Sequence, residues 1–335
     1  MRVTQISESD FSVQGHGVHT AFVETMNALR LYQPQIELKK NARGKTDVWH
    51  IHTVGVYSLA KLLFSRGKKV VSAHIVPDSL VGSLRGAEWW KGAASMYLRW
   101  FYNRADSVLA VSDETKHVLE KLGVRRPIHV LYNMVDTARY ETSAEKKQAA
   151  RQSLGFTDSQ WIVIGNGQVQ PRKRADVFVD LAKKLPDMTF VWVGGIPFER
   201  AAADYKAMQH LMKTAPKNVQ FTGVVSLEKV RDYLHAGDVF IMPSEQETFG
   251  LAIVEAAASG LPLVLRDIHD YDHTFRESAL MCDDDTFASA LVSLRTDEKL
   301  YREMVAKSAS VAERFDSKRL SGELVRLYET VLTEN

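Results

Sequence analysis

Short apolar runs alternate with amphipathic stretches along the whole chain, and this alternation limits its fold more than any other feature. Strands that alternate with helices form parallel sheets, because each helix returns the chain to begin the next strand in the same direction. Two sets of strands are predicted, first Arg2–Ser7, Asp47–Thr53, Lys69–His74, Ser107–Ser112 and His129–Tyr132, then Trp161–Gly165, Thr189–Val193, Val219–Phe221, Val239–Met242 and Pro262–Leu265. The pattern predicts an α/β protein with two Rossmann-like units that bind ligands at the carboxyl ends of their strands.

The length of 335 residues also predicts two domains, each large enough for its own core. The polar stretch Glu141–Gln152 is a candidate linker, which places the domains at residues 1–145 and 146–315. A net charge of +2 gives no case for nucleic-acid binding, and the single Cys282 excludes a disulfide framework or a cysteine metal site. The chain has no signal-peptide core and no apolar run of membrane-spanning length. We therefore expect a cytoplasmic protein, with a peripheral role on the inner face of the cell membrane left open.

Two glutamates flank the start of a predicted helix in the second half of the chain. Glu247 falls in the turn after the strand Val239–Met242, and Glu255 falls within the helix Leu251–Ser259. Eight residues at about 1.5 Å each separate them by roughly 12 Å. A carboxylate on each side of a slot of this size suits a nucleotide-sugar, with ribose hydroxyls at one end and sugar hydroxyls at the other.

The helix start between these glutamates is a candidate diphosphate site. The residues Phe249, Gly250 and Leu251 lie where backbone N–H groups have no partner within the helix, and such groups favour an anion. The alternative is structural, because acidic residues near a helix start often only offset its dipole.

A basic loop follows the strand Trp161–Gly165. Gly167 permits a tight turn there, and the cations Arg172, Lys173 and Arg174 then stand at a helix start, where the dipole disfavours positive charge. A nearby anionic ligand would explain their position. A solvated basic turn is the alternative.

The segments Pro243–Pro262 and Asn166–Arg174 resemble the donor-site motifs of glycosyltransferase family four. The resemblance extends over nearly the whole chain. It implies the GT-B fold, in which two Rossmann-like domains face each other across a cleft that holds the active site. It also implies an N-terminal acceptor-side domain, joined by the C-terminal helix 316–335, and a C-terminal domain that binds the nucleotide-sugar.

The resemblance implies roles for the charged residues of these motifs. Arg172 and Lys173 match the basic pair that holds the donor diphosphate. Gln168 stands where the family usually has an arginine, so which of the two cations makes the main phosphate contact stays open. Glu247 is implied to orient sugar hydroxyls without forming a covalent intermediate.

Three further site residues are implied by the same resemblance. His74 ends a strand where the family has a histidine near the transferred sugar. Gly17 matches the glycine loop that closes over the donor phosphates, where His16 and His19 are either cleft or surface residues. Val224 belongs to the loop whose backbone meets the base.

No metal or cofactor is expected beyond the UDP-sugar donor. The run Asp283-Asp284-Asp285 falls in a late polar turn, where we expect it to be solvated, and the sequence has no His, Cys or Asp cluster at metal-ligand spacing. The charge that develops on the leaving diphosphate would then be balanced by Arg172, Lys173 and helix N–H groups.

Residues 85–104 hold three of the six tryptophans. Trp89 and Trp90 begin a helix beside Arg85 and Lys91, a combination that suits an anionic membrane surface. The alternative is that the aromatic side chains pack on the N-terminal sheet, which we expect of Tyr97, Trp100 and Phe101.

The resulting hypothesis is a retaining hexosyltransferase that moves glucose from a UDP-sugar to a membrane glycerolipid. The segments Gly167–Lys173 and Val264–Ile268 resemble those of bacterial diacylglycerol glucosyltransferases. The alternatives are a glycosyltransferase for a polysaccharide or small molecule, a UDP-N-acetylglucosamine 2-epimerase, and a non-catalytic nucleotide-sugar binder. Nothing in the sequence indicates the oligomeric state.

Overall fold

The computed structural model describes residues 1–11, 17–80, 87–196 and 204–334. The described residues up to Asp136 and those from Phe315 onward form one compact unit, and Thr137–Arg314 belong to a second unit. The domain boundaries at residues 145 and 315 stay predictions, because compact units do not show where independently folding domains end.

The first unit is built on a parallel sheet. Within the described ranges its strands are β1 (Arg2–Ile6), β2 (Glu37–Lys40), β3 (Val48–Ile51), β4 (Lys68–Ala73), β5 (Ser107–Ala110) and β6 (Ile128–Val130). Their order is β2-β1-β3-β4-β5-β6, so the order reverses between β1 and β3. The helices are α1 (Gly17–Tyr32), α2 (Val56–Phe64), α3 (Pro77–Leu80), α4 (Ala87–Tyr102), α5 (Asp113–Leu122) and, from the chain end, α13 (Ser317–Thr333).

The second unit repeats this architecture. Its described strands are β7 (Ile162–Asn166), β8 (Thr189–Val193), β9 (Val219–Phe221), β10 (Val239–Met242), β11 (Leu263–Arg266) and β12 (Leu280–Cys282), in the order β12-β11-β10-β7-β8-β9. Its helices are α6 (Ala144–Leu154), α7 (Ala175–Lys184), α8 (Tyr205–Lys213), α9 (Leu227–Ala236), α10 (Leu251–Ala258), α11 (Phe287–Thr296) and α12 (Glu298–Arg314). The predicted pair of Rossmann-like sheets is confirmed.

The prediction that the polar segment Glu141–Gln152 is a linker is wrong. Most of it forms α6, which is capped at both ends. The Ser143 hydroxyl accepts a hydrogen bond from the Lys146 N–H at 3.2 Å, and Gly155 ends the helix with a φ of 77°. Both are standard helix-end signals, because the serine satisfies a free N–H and glycine tolerates the left-handed conformation.

Two edge strands escaped the sequence analysis. The strand β2 reads Glu-Leu-Lys-Lys and β12 has only three residues. The strand β2 lacks the apolar run that marks a buried central strand, and β12 is apolar but has only three residues, fewer than a typical strand. Exposed lysines on an edge strand such as β2 discourage pairing with other chains.

Candidate functional site

The strand order of the second sheet reverses between β7 and β10. These strands pair in parallel, with Val163 opposite Val239, while β8 and β9 lie to one side and β11 and β12 to the other. Loops 167–174 and 243–250 therefore follow the carboxyl ends of two adjacent strands and lie next to each other. Open α/β sheets bind ligands at such a reversal.

A buried ion pair joins these two loops. The Lys173 ammonium donates a hydrogen bond to the Glu247 carboxylate, and the two residues are only 9% and 7% exposed. The Arg172 guanidinium lies 3.8 Å from the other carboxylate oxygen of Glu247 and donates to the Gln246 carbonyl at 2.9 Å. The loops thus bring together the three charged residues that the sequence analysis singled out.

Burial acts against both charges of this pair. It lowers the pKa of Lys173, and the attraction of Glu247 offsets only part of that effect. For Glu247, burial raises the carboxyl pKa, but Lys173 and Arg172 outweigh it and the net pKa is lowered. The carboxylate is therefore ionised at neutral pH, and its pairing depends on the two cations.

A third loop supports the Glu247 backbone. The Asp270 carboxylate accepts a hydrogen bond from the Glu247 N–H at 2.6 Å. The neighbouring Tyr271 is fully buried, and its hydroxyl has no hydrogen-bond partner among the described residues. Burial, with a contribution from the Glu247 charge, raises the pKa of this phenol well above its ordinary value. Both residues follow β11, the strand next to β10.

The start of α10 lies beside the ion pair in sequence. Gly250 precedes it with a φ of 97°, and no side chain caps the helix. The Phe249 side chain is buried against Phe275, with ring centroids 5.8 Å apart, so only its backbone is available to a ligand. Leu251 is likewise buried as the first helical residue. Helix N–H groups without a side-chain cap suit a phosphate.

Glu255 lies one turn further along α10. It is buried, and its carboxylate accepts a hydrogen bond from the Asn166 side chain at 3.3 Å. Asn166 is the last residue of β7, so Glu255 lies at the same carboxyl ends of the strands as the ion pair.

Glycines bring the backbones of neighbouring loops into contact on the other side of β7. A Cβ on Gly194 would lie 2.1 Å from the Gly167 carbonyl oxygen, and one on Gly195 would lie 3.0 Å from the Val224 nitrogen. Gly167 itself has a φ of 147°. The exposed Val224 therefore stands at the end of a row of closely packed backbones, and its role in meeting the base stays a prediction.

Two predicted residues lie in the first unit. His74 directly follows β4, is 8% exposed, and has its Nε2 atom 3.1 Å from Nδ1 of His52. Gly17 is the exposed first residue of α1. His16 lies outside the described residues, and the His19 ring contacts the Ser9 hydroxyl at 3.3 Å.

Family models match both halves of the chain. Residues 6–139 match the model described as "Glycosyltransferase Family 4", and residues 159–297 match "Glycosyl transferases group 1". The alpha-galactosylglucosyldiacylglycerol synthase of Streptococcus pneumoniae is 30% identical over 98% of this chain and 89% of its own length. The chain belongs to glycosyltransferase family 4. The processive diacylglycerol alpha-glucosyltransferase of Acholeplasma laidlawii is 25% identical over 99% of both chains.

Solved structures support the fold of this family 4 glycosyltransferase. Anabaena HepE, solved with UDP and glucose, superposes with a TM-score of 0.78 over 98% of this chain and 99% of its own, at 18% identity. Sucrose-phosphate synthase from Thermosynechococcus elongatus gives a TM-score of 0.82 over 99% of both chains, at 15% identity. The predicted GT-B fold is confirmed.

The glycosyltransferase holds its charged motif residues more tightly than the sequence indicates. The resemblance implied separate roles for Lys173 and Glu247, and the structure pairs the two side chains directly. The support from Asp270 and Asn166 was missed, because it depends on which strands are neighbours. The only available signal was position, since Asn166 ends an apolar strand and Asp270 follows one.

In the described ranges of this glycosyltransferase, no group of three or more His, Cys, Asp or Glu side chains is placed to hold a metal ion. No helix in the same ranges has the length and apolar content needed to cross a bilayer.

Proposed function

We propose that the protein transfers glucose from UDP-glucose to a diacylglycerol-based membrane lipid, with retention at the anomeric carbon. The observation that carries this proposal is the cluster of Lys173, Arg172 and Glu247 beside the uncapped start of α10. The nature of the acceptor is supported by the two relatives above, whose names both contain diacylglycerol. The donor is supported by the HepE structures, which contain UDP, glucose or UDP-glucose.

Each group in the cluster has a role in this reaction. Transfer breaks the bond between the anomeric carbon and a phosphate oxygen, and negative charge then develops on UDP. Lys173, Arg172 and the α10 N–H groups balance this charge. Once Lys173 pairs with the donor phosphate, the Glu247 carboxylate can accept hydrogen bonds from sugar hydroxyls. The acceptor hydroxyl attacks from the face that UDP leaves and gives its proton to the departing phosphate, so no protein nucleophile is needed.

The direct test is transfer from radiolabelled UDP-glucose to diacylglycerol or glucosyldiacylglycerol in mixed vesicles. We expect a labelled glycolipid whose new linkage is α by NMR, formed equally well in EDTA. Transfer only to a soluble sugar or polysaccharide would overturn the lipid acceptor. Interconversion of UDP-N-acetylglucosamine with its 2-epimer would identify an epimerase, and binding of UDP-glucose without turnover would identify a non-catalytic protein.

Glu255→Gln is expected to weaken UDP binding about tenfold, because a charged acceptor for the ribose hydroxyls is replaced by a neutral amide of the same size. Isothermal titration with UDP and with 2′,3′-dideoxy-UDP measures this effect. The wild type should prefer UDP, and the variant should bind both nucleotides alike. Equal UDP affinity of variant and wild type would remove Glu255 from the ribose site.

The helix α4 presents an aromatic and basic surface that supports the membrane proposal. Trp89 is 93% exposed and Trp90 is 39% exposed, so packing of Trp89 in the core is excluded. The expectation that the aromatic face packs on the sheet is confirmed for Phe101, which is fully buried, but is wrong for Trp100, which is 39% exposed. The Arg104 guanidinium lies 5.1 Å from the centre of the Trp100 ring. Aromatic side chains beside cations suit the headgroup region of an anionic bilayer.

Replacement of both Trp89 and Trp90 by serine should reduce sedimentation with anionic vesicles. We expect wild-type binding to fade with salt, since each basic residue near such a surface contributes about 1 kcal/mol through screened attraction. The melting temperature and UDP affinity should hardly change, because exposed side chains contribute little to stability. Val292→Ser removes an exposed apolar side chain from the second unit and serves as the control. Equal sedimentation of all three proteins would exclude a membrane role for the two tryptophans.

A further inference from the structure

The Tyr271 hydroxyl is a buried donor that the fold leaves unused. Tyr271 is fully buried, and among the residues that the structure describes its hydroxyl has no hydrogen-bond partner. Tyr301, in the same unit, differs because its hydroxyl donates to the Asp238 carbonyl at 3.1 Å. A buried polar group without a partner costs free energy, so its presence requires a physical reason.

Aromatic contacts hold the ring of Tyr271 next to the loop that carries Glu247. The ring centroids of Tyr271 and Phe275 lie 5.5 Å apart, with an angle of 70° between the ring planes. The ring centroids of Phe275 and Phe249 lie 5.8 Å apart, and Phe249 stands two residues after Glu247. The Glu247 N–H in turn donates to the carboxylate of Asp270, the residue before Tyr271. Both ends of the phenol's surroundings are therefore fixed.

The charges around the Tyr271 hydroxyl show which group acts on it most. Burial raises the pKa of the phenol well above its ordinary value, and among the charged groups Glu247 makes the largest contribution in the same direction. Asp270 raises the pKa further, whereas Arg172 and Arg266 lower it. The phenol therefore keeps its proton at neutral pH, and the anion that acts on it most is the Glu247 carboxylate.

Glu247 needs a further donor only when its main partner leaves. The Lys173 ammonium donates to the Glu247 carboxylate, and this buried pair is satisfied without Tyr271. A phosphate that binds Lys173 would compete with Glu247 for the ammonium, and a buried carboxylate that loses its cation is strongly destabilised. Arg172 lies 3.8 Å from the carboxylate, but the same phosphate would attract it as well. Glu247 then depends on a donor from the interior of the second unit.

We propose that Tyr271 is a positioning residue whose hydroxyl donates a hydrogen bond to the Glu247 carboxylate when Lys173 pairs with a phosphate. No proton is transferred, because the phenol oxygen keeps its hydrogen. The link to phosphate rests on the proposed function. The exchange of partners does not, since removal of the Lys173 ammonium by substitution should produce the same hydrogen bond. Positions 173 and 271 should therefore be energetically coupled as long as residue 247 carries a carboxylate.

Tyr271→Phe tests this coupling through its effect on the melting temperature in three backgrounds. In the wild type we expect no loss, because the substitution removes a buried hydroxyl without a partner. In Lys173→Met we expect a loss of about 2–4 °C, because the hydroxyl is then a partner of Glu247. In Lys173→Met with Glu247→Leu the loss should disappear. Equal shifts in the wild type and in Lys173→Met would overturn the proposal.

Tyr301→Phe is the matched control for these measurements. It removes a hydroxyl that has its own partner, the Asp238 carbonyl, so its effect on the melting temperature should be the same in all three backgrounds. If the effects of Tyr271→Phe and Tyr301→Phe both grow in Lys173→Met, that substitution alters the second unit as a whole. This result would also overturn the proposal.

Binding of UDP gives a second readout, which decides the question if Lys173→Met does not fold. UDP carries the phosphates that should pair with Lys173. We expect Tyr271→Phe to bind UDP at least about fivefold more weakly than the wild type, because Glu247 then loses Lys173 without a replacement. Tyr301→Phe should bind UDP like the wild type. Unchanged UDP affinity in Tyr271→Phe would overturn the proposal, whereas coupled melting temperatures in a protein that binds no UDP would overturn only the proposed function.

Discussion

Lys173→Met is expected to destabilise the protein by about 3 kcal/mol and to lower kcat/KM for hexose transfer more than tenfold. The loss of stability follows because the substitution leaves the Glu247 carboxylate buried without its main partner, and breaking a buried pair from one side costs about 3–5 kcal/mol. The lower end applies because Arg172 remains 3.8 Å from the carboxylate. Urea unfolding and steady-state kinetics on the same preparation measure both effects.

A second variant separates stability from catalysis. The double substitution Lys173→Met with Glu247→Leu removes both charges, and replacing a buried pair by apolar residues is often neutral or stabilising. We expect this variant to regain most of its free energy of unfolding while its transfer activity stays more than tenfold below wild type, equivalent to more than about 1.4 kcal/mol. Lys183→Met breaks an exposed ion pair between Lys183 and Asp180, both on α7. It should change neither the free energy of unfolding nor the transfer activity. Recovery of activity in the double variant would show that the pair is purely structural.

Most strands and helices could be predicted because their signals are local. An apolar run of four or five residues marks a buried strand wherever it pairs, and β8 and β10 match the predicted ranges. The failures arose where local polarity was misleading. Helix α6 has little apolar surface, and its Ser143 and Gly155 caps were better signals than its composition. In α4 the periodicity was clear, but it could not show that the face with Leu98 and Phe101 is buried while Trp100 is exposed.

The candidate site could be predicted only as far as each loop could be interpreted by itself. Lys173 and Glu247 each stand in a loop with a recognisable pattern, but their direct contact requires β7 and β10 to be neighbours. The buried hydrogen bonds that join His74, His52, Gln5 and Tyr328 are further from any local signal. Gln5 and Tyr328 lie 323 positions apart in the sequence, and a single histidine in an apolar strand gives no indication of its partner.

The second large effect concerns α6, the segment misinterpreted as a linker. Arg151 is 5% exposed, and its guanidinium donates to the Asp238 carboxylate at 2.6 Å and to the Ala236 carbonyl at 3.0 Å. The same carboxylate accepts from the Ile162 N–H at the start of β7. Arg151→Met should therefore lower the free energy of unfolding by about 3–5 kcal/mol, because it leaves a buried charge and several carbonyls without a donor.

Asp238 has a second cation that provides the matched control. The Lys147 ammonium lies 2.7 Å from the other carboxylate oxygen, but its side chain is 33% exposed. Lys147→Met should change the free energy of unfolding by no more than about 1 kcal/mol, since water replaces a partly exposed partner at little cost. Urea unfolding of the two variants compares a buried and a half-exposed donor on one carboxylate. If the free energy of unfolding of Arg151→Met is as high as that of Lys147→Met, the contact between Arg151 and Asp238 does not hold α6 against the sheet of the second unit.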